Sequence, residues 1–341
     1  MRRRGRGVAW MAYPIGFTSY ANPSAAFVKV NQDGSAVVWT GAADVGQGST
    51  TALAQIAAEA LGIPLDRITM VTSDTLQTPM DLGSVASRVT YIAGNAIMRA
   101  CAQARQILFE VAAEELGVGA EGLLSRDGWI VVRDLPERRV SLADIARKAE
   151  AVKGRPPIGA GSYNPPTTFL DPETGHGKPY NTYVYAAQIA EVEVDTETGQ
   201  VQVLRLVAVH DCGRAINPLL VEGQIQGGMV MGMGFALTEE MVVQEGRVLN
   251  TSFADYLIPT ATDVPPMAVD LVEMPDPTGP FGAKGVGEPA LLPTAPAIVN
   301  AIYDAVGVRI RNLPVTAERV LAALRARDGA PDGGDRTPSG S

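Results

Sequence analysis

Along residues 25–40, "AAFVKVNQDGSAVVWT", apolar and polar positions alternate in two runs that meet at Asp33-Gly34. A period of two broken by Asp-Gly predicts a β-hairpin. From Ser49 the period changes. "STTALAQIAAEALGI" sets apolar residues at helical spacing and stops at Gly62, which predicts a helix. "RITMVTSDT" has the composition of a strand. "TYIAGNAIMRACAQARQILFEVAAEEL", from Thr90, reads as a long helix with small residues on one side.

The pattern is less regular over residues 123–180. A short strand ("GWIVVR") and a short helix ("SLADIARKAE") precede the loop "PPIGAGSYNPPTTFLDPETGHGKP". A loop of this length is either surface decoration or part of a substrate channel. Alternation returns in "YVYAAQIAEVEVDTETGQVQVLRLVAVHDCG", a second hairpin about Thr198-Gly199. The following helix, "LLVEGQIQGGMVMGMGFALTEE", has no charge between Ile225 and Thr238, so burial on all sides is expected. "MAVDLVEM" is a further strand. In "FGAKGVGEPALLPTAPAIVNAI", Glu288 then sits between a glycine loop and an apolar helix.

The two halves share a rhythm of hairpin, small-residue loop and buried helix. That predicts an α+β protein of two similar hairpin-plus-helix lobes. The expected segments are a junction at 1–20, a first lobe at 21–150 and a long loop at 151–183. A second lobe at 184–325 carries Glu288, and a disordered tail follows at 326–341. A duplicated lobe would set equivalent glycine loops face to face across a cleft.

Composition narrows the classes. Of 341 residues, 46% are apolar and 19% charged, which supports a sizeable core. A net charge of −9 argues against nucleic acid as a partner. The basic cluster Arg2 to Arg6 lacks a following apolar h-region, and no apolar run has transmembrane length, so a cytoplasmic protein is expected. Two cysteines (Cys101, Cys212) and two histidines (His176, His210) argue against a disulfide framework, an iron–sulfur cluster within this chain and most zinc sites. Redox chemistry would need a metal held some other way.

Four stretches could carry chemistry. In "ADVGQGSTT" (43–51), glycines flank Gln47 before a helix start. This is either a capped turn or a polar-ligand loop at free helix amides. In "DLGSVASRVTYIAGNA" (81–96), Ser84, Ser87 and Thr90 recur at intervals of three. One of them would suffice as an N-cap; three also suit the oxygens of a phosphate or pterin. In "VHDCGRAINPLLVEGQIQGG", Cys212 is a metal ligand or a packed small residue, and Arg214 and Asn217 could hold a polar ligand. Gln224 needs a partner in an apolar helix. Glu288 is either an acid favoured at a helix start or a general base that the glycine loop lets a bulky ligand approach.

In this order and spacing, "GQG", "GSVAS", "DCGRAINPLLVEGQIQGG" and "GVGE" resemble one family. It is the molybdenum-binding subunit of the xanthine dehydrogenase/aldehyde oxidase (molybdenum hydroxylase) family. The resemblance covers that subunit's C-terminal half only, from about Arg4 to Ala322 here. It implies the fold of the family's molybdopterin-binding domain and a molybdenum–molybdopterin cofactor in the cytosine dinucleotide form. By resemblance, Gly46, Gln47 and Gly48 lie beside the metal and pterin, and Ser84, Ala86 and Ser87 contact the pterin. Cys212, Arg214 and Asn217 meet the dinucleotide, Gln224 lies near the dithiolene, and Lys284, Gly285 and Gly287 line the cofactor loop. Glu288 would be the base acting on a molybdenum-bound hydroxyl. The metal would be held by the pterin dithiolene, with no side-chain ligand. The implied reaction hydroxylates an electron-poor carbon with water and passes electrons to [2Fe–2S] clusters and FAD on partner subunits.

One departure is large. The "GFGGK"-type loop and substrate loop of the family's first half are missing from the sequence. The chain therefore resembles the medium subunit of a split, nicotinate dehydrogenase-type enzyme. That implies a second molybdopterin subunit carrying the other half, docked on the uncharged helix at 225–238 and the long loops. The expected substrate is an N-heteroaromatic such as nicotinate or a purine. The alternatives are an aldehyde oxidase or carbon monoxide dehydrogenase-like member, or a non-catalytic assembly half-subunit.

Overall fold

The structure, a computed structural model, describes residues 1–17 and 21–329. The chain begins with β1 (Arg2–Pro14), which belongs to the second lobe. The first lobe starts with the hairpin β2 (Ser24–Val30) and β3 (Ala36–Thr40), in which Val28 faces Val38. Helix α1 (Ser49–Leu61) then crosses to β4 (Ile68–Thr72), parallel to β3. A wide helical turn, Val89–Ala93, leads into α2 (Gly94–Leu116). A small side sheet, β5 (Leu123–Arg126), β6 (Trp129–Val132) and β7 (Leu135–Ser141), precedes α3 (Leu142–Arg147). Strand β8 (Ile158–Tyr163) returns to give the sheet order β4-β3-β2-β8.

The second lobe repeats this plan. Hairpin β9 (Tyr183–Asp195) and β10 (Val201–Asp211) leads into α4 (Pro218–Leu237). An exposed arm with the two-residue strands β11 (Val243–Gln244) and β12 (Arg247–Val248) ends at β13 (Met267–Val272), parallel to β10. Helix α5 (Thr294–Val306) covers the sheet, and α6 (Ala317–Asp328) follows. The sheet order is β1-β9-β10-β13, with β1 antiparallel to β9 from Arg2 opposite Asp195 to Pro14 opposite Tyr183. The fold is thus α+β with two similar lobes, in which α1 corresponds to α4, α2 to α5 and β8 to β1.

The likeness extends to packing. A Cβ on Gly159 or Gly161 of β8 would overlap the α2 backbone at Ala96, Ala100 and Ala104. A Cβ on Gly5 or Gly7 of β1 would overlap the α5 backbone at Ala297, Ala301 and Ala305. In each lobe two glycines one residue apart let an edge strand lie directly on a helix with alanines every four residues. Two apolar clusters fill the lobes, one around Leu53, Ile97 and Leu108 and one around Leu206, Met229 and Ile298. Strand β9 supplies the second with inward Ala190, Val192 and Val194.

Three sequence expectations are corrected. Helix α4 is not buried on all sides: Leu219, Met231 and Phe235 are exposed, because only one side faces the sheet and α5. Glu288 does not open the apolar helix. It starts a separate 3₁₀ turn, Glu288–Ala290, and α5 begins at Thr294; the intervening Pro289 and Pro293 have no N–H to donate to a continuous helix. The expected tail at 326–341 overlaps α6, which runs to Asp328, while the part from 330 lies outside the described residues. The Arg2–Arg6 cluster is part of β1, where Arg2 and Arg4 pair with Glu193, and Arg6 with Glu191, across the ladder. Among the described residues no helix is long and apolar enough to cross a membrane.

Candidate active site

The loops that precede α2 and α5 occupy equivalent places in the two lobes, and they touch. A Cβ on Gly285 would overlap the Ser87 carbonyl, so only glycine allows this approach. The Glu288 N–H donates to Ser87 Oγ at 3.0 Å, and the Ala86 N–H donates to Glu288 Oε1 at 3.0 Å. A second donor to the carboxylate arrives from β1: the Tyr13 hydroxyl binds Glu288 Oε2. The half-buried residue is therefore fixed from two other parts of the chain, β1 and the 86–87 loop.

The first-lobe loop is shaped for this. Ala86 and Ser87 both have φ of +52°, two consecutive L-residues in the left-handed region. Such a pair costs on the order of 1–3 kcal/mol per residue unless its surroundings enforce it. Arg88 enforces it from below. It is fully buried and ion-paired with buried Asp81; it also reaches Asn22 Oδ1 at 2.6 Å, the Pro23 carbonyl at 2.7 Å and Ser24 Oγ at 2.8 Å. The Ala86 carbonyl accepts from the Gly16 N–H at 3.0 Å, so the loop is pinned on both sides. None of Ser84, Ser87 and Thr90 caps a helix. Ser84 Oγ donates instead to the Ala43 carbonyl, and Ser87 Oγ holds Glu288.

These loops edge a cleft of about 420 Å³ between the lobes. It brings together Gln47, Gly48, Ser84 and Ser87 from the first lobe with Cys212, Arg214, Asn217, Gln224, Lys284, Gly285, Gly287 and Glu288 from the second. Gly46 and Ala86 do not line it: Gly46 lies in the loop beside it, and Ala86 acts through its amide. A second hollow of about 750 Å³ shares Arg214 and Ile216 with the first and continues past Gln55, Glu59, Arg126 and Asp127.

Several of the expected ligand groups are already engaged. Gln47 folds onto its own loop, donating to the Ala43 carbonyl at 3.0 Å and to Ser49 Oγ at 2.9 Å. The amides at the start of α1 are taken by Asp44, which accepts from Gly46, Gly48 and Thr50 at 2.9, 3.3 and 3.0 Å. Burial opposes the ionised form of Asp44, but those three amides outweigh it and hold the carboxyl below its ordinary value. Asn217 caps α4 by accepting from the Leu220 N–H at 3.1 Å, and its amide reaches Gln55. Lys284 is paired with Asp211 at 2.7 Å, both nearly buried.

Cys212 is buried, its thiol pushed up to about 11 chiefly by burial, with no cluster of metal-ligating residues among the described residues. It reads as a packed residue. Arg214 and Gln224 differ from the rest. Among the described residues neither side chain has a hydrogen bond or ion pair, and both face the cleft. Tyr13, Asp81 and Arg88 were missed by sequence reasoning. The Asp81–Arg88 charge pair flanking the serines is a visible signal; Tyr13 carries none.

Comparison with known proteins bears on this geometry. The molybdopterin cofactor-binding domain family matches residues 1–265. The xanthine dehydrogenase molybdenum-binding subunit of Escherichia coli is 36% identical over 328 residues, covering 93% of this chain and 42% of that protein. The nicotine 6-hydroxylase large subunit of Paenarthrobacter nicotinovorans is 35% identical over 308 residues, covering 88% of this chain and 36% of its own length. The solved structure of quinoline 2-oxidoreductase from Pseudomonas putida 86 superposes with a TM-score of 0.85 at 30% identity, over 95% of this chain and 42% of that one. The chain thus spans less than half the length of these relatives.

Proposed function

The chain belongs to the molybdopterin cofactor-binding domain family, as found in the molybdenum-binding subunits of xanthine dehydrogenase-type oxidoreductases, and from that premise we propose that it forms one part of a molybdenum hydroxylase with Glu288 as its base. The observation that carries this is Glu288 at the edge of the interlobe cleft, its carboxylate held by Tyr13 and Ala86 and its backbone N–H by Ser87.

The cleft suits a bulky polar group. A Cβ on Gly227 would meet nothing within 4 Å, so it would stand in open space where a ligand fits. The Gln224 amide and Arg214 guanidinium, without partners among the described residues, supply polar contacts. The second hollow beyond Arg214 supports a cofactor longer than a pterin alone, as the cytosine dinucleotide form is. When bound, the molybdenum–molybdopterin group supplies the two-electron oxidation that hydroxylation with water requires.

The net change is R–H plus water to R–OH, two protons and two electrons. Glu288 takes the first proton on its carboxylate. The Tyr13 hydroxyl and the Ala86 amide aim that carboxylate, one at each oxygen. Val85, Leu220 and Leu291 keep the cleft wall apolar, which strengthens these contacts.

The electrons require iron–sulfur and flavin groups on partner subunits. The region that relatives carry beyond the match is the proposed second molybdopterin subunit, packing on exposed Met231 and Phe235 of α4 and on the arm residues Met241, Phe253 and Leu257. An N-heteroaromatic substrate follows the relatives named for nicotine and quinoline. Cytoplasmic placement accords with two free, buried thiols.

The test is purification of the tagged chain from its native host. The complex should carry about one molybdenum per copy and release a cytosine nucleotide on hydrolysis. A chain free of both molybdenum and partners would overturn the proposal.

A further inference from the structure

We propose that Gln188 is a positioning residue for Glu288, acting through the carbonyl of Ala290; the inference rests on the reading of Glu288 as base. Gln188 lies in the middle of β9 and is fully buried, in line with Ala186 and Ala190 on the inward face. Its Nε2 donates to the Ala290 carbonyl at 2.7 Å, and its Oε1 accepts from Thr294 Oγ1 at 2.6 Å. Ala290 and Thr294 are also fully buried. Ala290 ends the 3₁₀ turn that Glu288 begins, and Thr294 is the first residue of α5.

Its neighbours in the sheet are apolar: Ala9 and Ala208 flank it on β1 and β10, and Ala190 of the second-lobe cluster lies two residues on. Burying an amide there is costly without partners. A leucine would fill the same space without that cost, so the amide is explained by what it holds. The turn has few bonds of its own. Pro289 has no N–H, and the Leu291 N–H reaches the Glu288 carbonyl at a long 3.2 Å. Gln188 therefore ties the far end of the turn to the central strand, while Ser87 Oγ holds the near end at the Glu288 N–H.

Helix α4 closes the other side. A Cβ on Gly228 would crowd Ala290, and one on Gly232 would crowd Thr294, so the turn has no room to relax toward that helix. With the Gln188 bonds removed, the Ala290 carbonyl and the Thr294 hydroxyl seek other partners and the turn shifts toward the cleft, carrying the carboxylate with it. Misplacement of a reacting group by about 1 Å can cost on the order of 100-fold in rate.

Gln188→Met, similar in shape but without the amide, tests this in the purified complex. Molybdenum content and subunit composition should match wild type. Backbone amide exchange in the peptide 285–292 should quicken about tenfold, while exchange in α2 stays unchanged. Turnover should fall about 10- to 100-fold with KM within about twofold. Added to Glu288→Gln, the substitution should lower the residual rate no further, because Gln188 acts only through that carboxylate. Thr294→Val, a milder change, should shift exchange in the same peptide in the same direction and serves if Gln188→Met does not assemble. Unchanged exchange in 285–292 in the assembled variants overturns the proposal. So does an equal rate loss in the Glu288→Gln background. If Glu288→Gln itself keeps full activity, the base reading fails, and the exchange measurement still decides whether Gln188 holds the turn.

Discussion

The Tyr13 hydroxyl donates to Glu288 Oε2 across 275 positions of sequence. Burial, and then the adjacent carboxylate, raise the Tyr13 phenol above its ordinary value, so it stays protonated as a donor through the alkaline range. Tyr13→Phe should keep molybdenum bound but remove one of the two hydrogen bonds that fix the carboxylate. The carboxylate is then left with the Ala86 amide as its one donor and is held less firmly toward the cleft. Turnover should fall about 10- to 100-fold, from the loss of a charged hydrogen bond of about 1.5–3 kcal/mol. Unchanged turnover would separate Tyr13 from the base.

Glu288→Gln removes the proton acceptor while changing little volume. The complex should retain its molybdenum and lose turnover by about 10²- to 10⁴-fold, the range of general-base contributions. Activity above a tenth of wild type would exclude Glu288 as the base.

Arg88→Leu should be among the most damaging substitutions in the first lobe. It strands the Asp81 carboxylate, 1% exposed, without its ion pair. Breaking a buried pair from one side costs about 3–5 kcal/mol. Chemical denaturation of the purified complex measures it, and a loss below about 1 kcal/mol would show that the loop above Arg88 holds itself.

Asp44→Asn should weaken the start of α1. Asp44 is exposed, so the loss should be near the low end of capping energies, about 1 kcal/mol or less. Its folded pKa is depressed, so the stabilisation is present above the unfolded-state value of about 3.9 and is lost as pH falls through the folded value. Melting curves of wild type and variant should therefore differ at pH 7 and converge in strong acid.

Phe235→Glu alters an exposed side chain on α4. The chain should fold with unchanged circular dichroism yet recover less partner and less molybdenum on co-purification. Full recovery of both would move the interface elsewhere.

The two lobes were legible because their hairpins bury alternate residues, Ala26, Val28 and Val30 in one and Val192 and Val194 in the other. Strand β1 was not, for a physical reason. Its inward positions Gly5 and Gly7 have no side chain, because a helix backbone occupies the space, so hydrophobic alternation is blank where packing is tightest. Glu288 stood out by its glycine loop, whereas Tyr13 and Gln188 reach its turn only through pairing set by tertiary structure. The exposure of α4 was hidden because an uncharged helix looks the same whether the protein's own core or another surface covers it.

Strand β1 also sets an order of assembly. Its ladder partner ends at Asp195 and the helix lying on its glycines ends at Val306, so β1 stays unpaired until those later segments have followed it. The first lobe, from Ser24 to Tyr163, contains all its own strands and can close early. Closure that waits on such distant contacts is slow, since the loop entropy is lost before those contacts form. Tyr13 rides at the end of β1, so the donor to Glu288 arrives only with the last closure, and a half-made chain has no primed carboxylate.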